Sequence, residues 1–282
     1  MSYRTLISAS ELMALQGCQP LVVIDCSFDL ADPAAGRRAY EASHVSGAFY
    51  AHLDEDLSGT KTGRNGRHPL PDRARFAATA GAWGIAPGVQ VICYDAQGGP
   101  YAARGWWLLR WLGHEDTAVL DGGFAAWRAA GGSTDGRPPM AAAQGPYPAT
   151  AVAAMPTIDT DDVLRQLGRL RIVDARAGER FRGDVEPLDP VAGHIPGATN
   201  RFFKDNLQDD GRFKPAAQLQ DEFAKLGIAT AGGAPVVQQC GSGVTACHNL
   251  LAMAHAGVGD TTLYPGSWSE WCADPARPVA KG

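Results

Sequence analysis

Short apolar runs rich in β-branched residues recur along the chain, at Leu21 to Ile24, Val89 to Tyr94, Arg171 to Val173 and Pro235 to Gln238, each bounded by turn-forming residues. Runs that stay apolar instead of alternating with polar positions fit strands buried on both faces. Between them the pattern becomes helical, as in Ala102 to Leu112, Gln218 to Leu226 and the apolar-rich segment Ala246 to Ala256. Strands that alternate with helices in this way predict an α/β fold, a mainly parallel sheet covered by helices on both faces.

The whole pattern occurs twice. Val23-Ile24-Asp25 matches Ile172-Val173-Asp174, and His44-Val45-Ser46-Gly47-Ala48 matches His194-Ile195-Pro196-Gly197-Ala198. Val91-Ile92-Cys93-Tyr94-Asp95 aligns with Val236-Val237-Gln238-Gln239-Cys240, and Gly122-Gly123-Phe124-Ala125-Ala126-Trp127 aligns with Gly266-Ser267-Trp268-Ser269-Glu270-Trp271. Matches in the same order imply a duplicated domain. The stretch from Gly131 to Pro156 has the Gly, Pro and Ala content of a linker, which divides the chain into residues 1–145 and 146–282.

Composition narrows the field. At 282 residues, 45% hydrophobic and 20% charged, the chain has ordinary globular content. No stretch approaches the roughly 20 apolar residues of a membrane span, and the N-terminus lacks the apolar run of a secretory leader, so the expected location is the cytoplasm. A net charge of -5 argues against a broad nucleic-acid surface. Nothing marks an oligomer interface, which leaves a monomer as the expectation. The six cysteines (Cys18, Cys26, Cys93, Cys240, Cys247, Cys272) show no paired spacing, and most read as buried thiols rather than disulfide partners.

Cys240 has a different context. The strand ending at Gln239 runs into Cys240-Gly241-Ser242-Gly243-Val244-Thr245 and then into a helical segment. This places a thiol at the carboxyl end of a strand, facing a helix N-terminus with its free N–H groups and positive dipole end. Two glycines let the loop curl so that several amides converge on the sulfur and favour a thiolate or persulfide anion. The loop itself holds no acid or base, so backbone amides are the expected stabiliser. In the first half the aligned loop begins with Asp95, which removes the nucleophile; only the second half is expected to be catalytic.

Cys-Gly-Ser-Gly-Val-Thr followed by Ala246-Cys247-His248 resembles the active loop of 3-mercaptopyruvate and thiosulfate sulfurtransferases, the tandem-domain rhodanese family. The resemblance extends to both His-x-x-Gly-Ala segments, to Asp-Gly-Gly-Phe at Asp121 and to Tyr-Pro-Gly-Ser-Trp-Ser-Glu-Trp at Tyr264. It implies two tandem rhodanese-like domains and a loop of Gly241, Ser242, Gly243, Val244 and Thr245 cradling the Cys240 persulfide. It also implies that Arg180 binds the anionic end of the sulfur donor, and that Asp54 and His68 supply polar groups from the first half. One departure stands out. The mercaptopyruvate enzymes carry a second substrate arginine in a Glu-Pro-Arg segment, whereas this chain reads Glu186-Pro187-Leu188-Asp189, and Leu188 cannot bind a carboxylate. That favours thiosulfate over 3-mercaptopyruvate as donor unless Arg182 or Arg201 compensates.

The implied chemistry is ping-pong sulfur transfer to cyanide, a small thiol or a protein cysteine, with Ser242 a candidate proton relay and no metal or organic cofactor required. Three rivals fare worse. Phosphatase chemistry needs Cys-x5-Arg, and Ala246 occupies the arginine position. A metal or redox site using Cys240, Cys247, His248 and His255 fails on spacing, since seven residues of helix separate Cys240 from Cys247 by about 10 Å. A pure binding or sensing role does not need an intact nucleophile loop. The tryptophans Trp106, Trp107, Trp111, Trp268 and Trp271 are expected in the core.

Overall fold

The computed structural model describes residues 2–140, 144–228, 236–259 and 261–282; Pro235, placed at the start of the last strand on sequence grounds, lies outside them. Two compact units result, one formed by Met1–Gly59, Pro71–Met155 and Asp209–Arg212, the other by Thr60–Leu70, Pro156–Gln208 and Phe213–Gly282.

The first unit runs β1 (Leu6–Ile7), α1 (Ala9–Leu15), β2 (Leu21–Asp25), α2 (Ala35–Ala42), β3 (His44–Val45), β4 (Phe49–Tyr50), α3 (Arg73–Ala82), β5 (Gln90–Tyr94), α4 (Pro100–Leu112), β6 (Thr117–Leu120), α5 (Gly123–Ala129) and β7 (Thr134–Asp135). Its sheet has the order β1-β6-β5-β2-β4, with every pairing parallel. The apolar run of β5 is buried throughout because both of its faces are covered. Ile92 and Tyr94 join Leu12, Leu15 and Trp127 in a cluster on the α1 and α5 side. On the other face Gly105 of α4 lies so close to the thiols of Cys26 and Cys93 that a Cβ there would meet them at 3.1 and 3.2 Å.

The second unit runs α6 (Thr160–Arg165), β8 (Arg171–Asp174), α7 (Gly178–Arg182), β9 (Thr199–Asn200), a 3-10 turn at Phe203–Asn206, α8 (Ala216–Lys225), β10 (Val236–Gln239), α9 (Ala246–His255), β11 (Thr261–Leu263) and α10 (Ser267–Trp271). Its parallel sheet has the order β11-β10-β8-β9, and Thr157 adds a parallel bridge to Leu263 at the outer edge, where β1 stands in the first unit. The fold is therefore the expected pair of rhodanese-like parallel sheets.

The duplication extends to side chains. His44 stacks on Tyr40 at 3.9 Å and its Nδ1 lies 2.7 Å from the Tyr40 carbonyl; His194 stacks on Phe181 at 3.9 Å with Nδ1 2.8 Å from the Phe181 carbonyl. The two His-x-x-Gly-Ala matches in the sequence mark this shared corner. All five tryptophans named above are core residues, and Trp268 and Trp271 pack with Ile172, Val237 and Tyr264 beneath β8 and β10.

Candidate active site

Cys240 follows β10 directly and is 2% exposed. Its amide donates to Ser267 Oγ at 3.1 Å, its carbonyl accepts from Trp268 N at 3.0 Å, and the next carbonyl, that of Gly241, accepts from Ser269 N at 2.9 Å. The start of α10 thus holds the strand end in place. Ser267 is able to do this because its backbone sits at φ 54, the one left-handed position taken by a residue other than glycine among those described. Such a conformation costs an L-residue about 1–2 kcal/mol, and hydrogen bonds from Cys240 N and to the Tyr264 carbonyl at 2.9 Å keep it. The Tyr-Pro-Gly-Ser-Trp segment matched the family by sequence; its task of positioning Cys240 was not visible there.

The two loop glycines do different jobs. Gly243 takes φ 75, and a Cβ there would stand 2.4 Å from the Pro265 carbonyl oxygen. Gly241 has no positive φ, so the expectation that both glycines serve the curl is corrected: Gly241 provides space. A Cβ at Gly241 would lie 2.8 Å from Arg67 Nη2 and 3.6 Å from both Nη atoms of Arg180. The loop carries no charged side chain of its own, but two guanidinium groups converge on it from outside.

Arg180, on α7, is held by Glu186 through Nη2 to Oε1 at 2.6 Å and Nε to Oε2 at 3.2 Å, and its Nη2 lies 3.4 Å from Asp189. Arg67 pairs with Asp189 through Nη1. Beneath them Arg176 is fully buried, pairing with Asp174 at 2.7 Å and Glu186 at 3.3 Å and lying over the Trp268 ring at 4.8 Å. Burial works against the Arg176 charge, but Asp174 and Glu186 outweigh it and raise its pKa; the negative form of Cys240 acts in the same direction. Burial raises the pKa of Asp189 and Glu186 adds to the rise, against the pull of Arg67 and Arg180. Arg182 and Arg201 do not supply the missing cation: the first is exposed and paired with Asp184, the second is spent on Glu222 and Asn206. Leu188 is 44% exposed.

Ser242 and His68 are both buried, with His68 Nδ1 2.7 Å from Ser242 Oγ. Val244 is buried and Thr245 stands at the N-cap position of α9 without a side-chain capping bond. The second unit therefore brings together Cys240, Gly241, Ser242, Gly243, Val244, Thr245, Arg180 and His68. Asp54 belongs to the first unit, where its amide donates to His52 Nδ1 at 3.2 Å.

In the first unit the aligned loop closes on a carboxylate. Asp95 is fully buried, and its carboxylate accepts from the amides of Gln97 and Gly99 at 2.9 Å on one oxygen and from Tyr101 at 2.9 Å and Ala102 at 3.0 Å on the other.

The family model for the rhodanese-like domain matches residues 8–130 and again 159–274. The chain belongs to the rhodanese family. This rhodanese is 49% identical to a "Probable 3-mercaptopyruvate sulfurtransferase" of Pseudomonas aeruginosa over 100% of both chains, and 39% identical to the "Putative thiosulfate sulfurtransferase SseB" of Mycobacterium tuberculosis over 99% of this chain and 98% of that one. Among solved structures it is similar to the 3-mercaptopyruvate sulfurtransferase of Leishmania major, with a TM-score of 0.83 and 31% identity over 95% of this chain and 74% of the other. The rhodanese is a sulfurtransferase, with relatives named for both donors. None of its described helices is long and apolar enough to cross a membrane.

Proposed function

We propose that Cys240 is the sulfur-carrying nucleophile, that residues 146–282 hold the catalytic domain and residues 1–145 a non-catalytic one, and that 3-mercaptopyruvate is the preferred donor with thiosulfate second. The observation that carries the reading is the Asp95 carboxylate. At the same offset in the sequence, Gln97, Gly99, Tyr101 and Ala102 correspond to Ser242, Val244, Ala246 and Cys247. In the first unit the loop at this place closes four amides on an anion. With cysteine in place of aspartate, the anion it suits is the outer sulfur of a persulfide.

The Cys240 thiolate attacks the transferable sulfur of the donor, the outer sulfur of thiosulfate or the mercapto sulfur of 3-mercaptopyruvate. With thiosulfate the S–S bond breaks, sulfite leaves with the bonding pair, and Cys240–S–S⁻ remains. With 3-mercaptopyruvate the C–S bond breaks, the enolate of pyruvate leaves, and it takes up the proton that the mercapto sulfur brought. Ser242 and His68 form the relay for that proton. A relay beside the nucleophile has work only with a carbon leaving group, which is why the mercaptopyruvate reading is favoured here over the thiosulfate preference that Leu188 suggested. Cyanide, a small thiol or a protein cysteine then attacks the outer sulfur and restores the thiolate. The enzyme is read as a cytoplasmic monomer that uses no cofactor and binds no nucleic acid.

The test is cyanide-dependent thiocyanate formation with each donor, alongside intact-mass detection of a persulfide on the Cys240 peptide. Cys240→Ser should abolish both, and Arg180→Ala should raise donor KM. Turnover retained in Cys240→Ser would sink the mechanism; a higher kcat/KM with thiosulfate would reverse the donor order.

A further inference from the structure

We propose that Arg67 is the second donor-binding cation of this enzyme and that Asp189 occupies, in the free protein, the place of the donor's anionic head. The proposal rests on the reading of Cys240 as the nucleophile for an anionic sulfur donor.

Arg67 comes from residues 60–70, which pack with the second unit. Its backbone is fixed to the same support as the nucleophile: Ser269 donates its amide to the Gly241 carbonyl at 2.9 Å and accepts the Arg67 amide on its Oγ at 3.0 Å. Gly66 makes the close approach possible, at φ 81 and with a Cβ position only 2.8 Å from the Gly266 carbonyl oxygen. From that anchor the Arg67 side chain reaches Gly241, beside that of Arg180. The two heads keep partial access to solvent, 27% for Arg67 and 17% for Arg180, while Asp189 between them is 3% exposed.

One carboxylate shared by two guanidinium groups is the arrangement a donor's carboxylate or sulfonate requires. Charge balance says how the site is kept before the donor arrives. Arg67, Arg176 and Arg180 face Asp174, Glu186 and Asp189, three charges of each sign. Asp174 and Glu186 are committed to Arg176, whereas Asp189 serves only as the bridge between Arg67 and Arg180 within this cluster. An entering anion displaces Asp189, at a cost that screens out weak anionic ligands. Leu188 is then no defect, because the cation that the Glu-Pro-Leu-Asp segment lacks arrives from residue 67.

The test compares alkylation of Cys240 by iodoacetate, an anion, and iodoacetamide, its neutral isostere, with the Cys240 peptide followed by mass spectrometry. The rate ratio reports the local attraction for anions and does not depend on sulfur transfer. Arg67→Met should lower the ratio at least about fivefold, Arg67→Lys less, and Asp189→Asn should raise it. In parallel, Arg67→Met should raise donor KM about tenfold with kcat changed less than about threefold, and Asp189→Asn should lower KM. A ratio and KM within about twofold of wild type in Arg67→Met overturn the proposal, as does an Asp189→Asn effect in the same direction as Arg67→Met. Failure of the wild type to form a persulfide would count against the sulfur-transfer reading instead, and the alkylation ratio would still judge Arg67.

Discussion

His68 Nδ1 and Ser242 Oγ lie 2.7 Å apart although they are 174 positions apart in the chain, and both are buried, Ser242 two residues after Cys240. An imidazole and a hydroxyl so placed can pass a proton to a leaving carbon, which 3-mercaptopyruvate generates and thiosulfate does not. Ser242→Ala and His68→Ala should therefore each lower kcat with 3-mercaptopyruvate about 100-fold while changing kcat with thiosulfate less than about threefold. Steady-state assays with both donors decide this, and equal losses with both would remove the relay.

The two loop glycines should fail differently. Gly243→Ala forces a Cβ onto the Pro265 carbonyl in a left-handed backbone, so it should destabilise the protein by about 2 kcal/mol or more and distort the cradle. Gly241→Ala meets only the ends of Arg67 and Arg180, which can swing aside, so melting should stay near wild type while donor KM rises. Thermal melts and donor titrations of the two variants separate the roles.

Much of this was legible in the sequence because it is local. The apolar runs set β2, β5, β8 and β10, and the strand, glycine-rich loop and helix around Cys240 are contiguous. Arg67 was not legible: it lies in a polar, glycine-containing stretch without periodicity, and nothing in its neighbours says that residues 60–70 join the second unit while residues on either side join the first. Ser267 was hidden because a left-handed serine has no sequence signature. Leu188 stood out in the sequence as a side chain unable to bind a carboxylate, yet its neighbours Glu186 and Asp189, which orient Arg180 and Arg67, carried no such mark.

Asp95 should matter for stability, although the proposed chemistry lies at Cys240. Four amides point at its two oxygens, and an amide side chain would leave donors of the loop facing an N–H₂ group. Each buried donor left unsatisfied costs about 1–3 kcal/mol. Asp95→Asn is expected to lower stability by at least about 2 kcal/mol in urea unfolding, with the first unit the part that loosens in hydrogen exchange. A variant as stable as wild type would mean that the amides are not holding a carboxylate, and the argument from Asp95 to the Cys240 loop would lose its basis.

Acid sensitivity should trace to Glu222 on α8. Burial pushes its pKa up, but hydrogen bonds from Arg201 at 2.6 Å, Lys214 at 3.0 Å and Gln218 at 3.0 Å outweigh that and hold it at about 2, against an ordinary 4.5. A carboxyl whose folded pKa is depressed contributes stability that is fully present above its unfolded pKa and is lost as pH falls towards the folded one. Glu222 contributes in full at neutral pH, and its contribution drains away between about 4.5 and about 2. The loss reaches α9, because Arg201 also holds Asn206, whose amide bonds Asn249 of α9 at 2.7 Å, and Asn249 in turn donates to the Arg201 carbonyl at 3.1 Å. Glu222→Gln should be about 2 kcal/mol less stable at neutral pH. It should also lose less of its remaining stability than wild type on going from pH ~5 to pH ~3. Urea midpoints at the two pH values test the sign directly, and parallel acid limbs for the two proteins would show that Glu222 does not set the acid response.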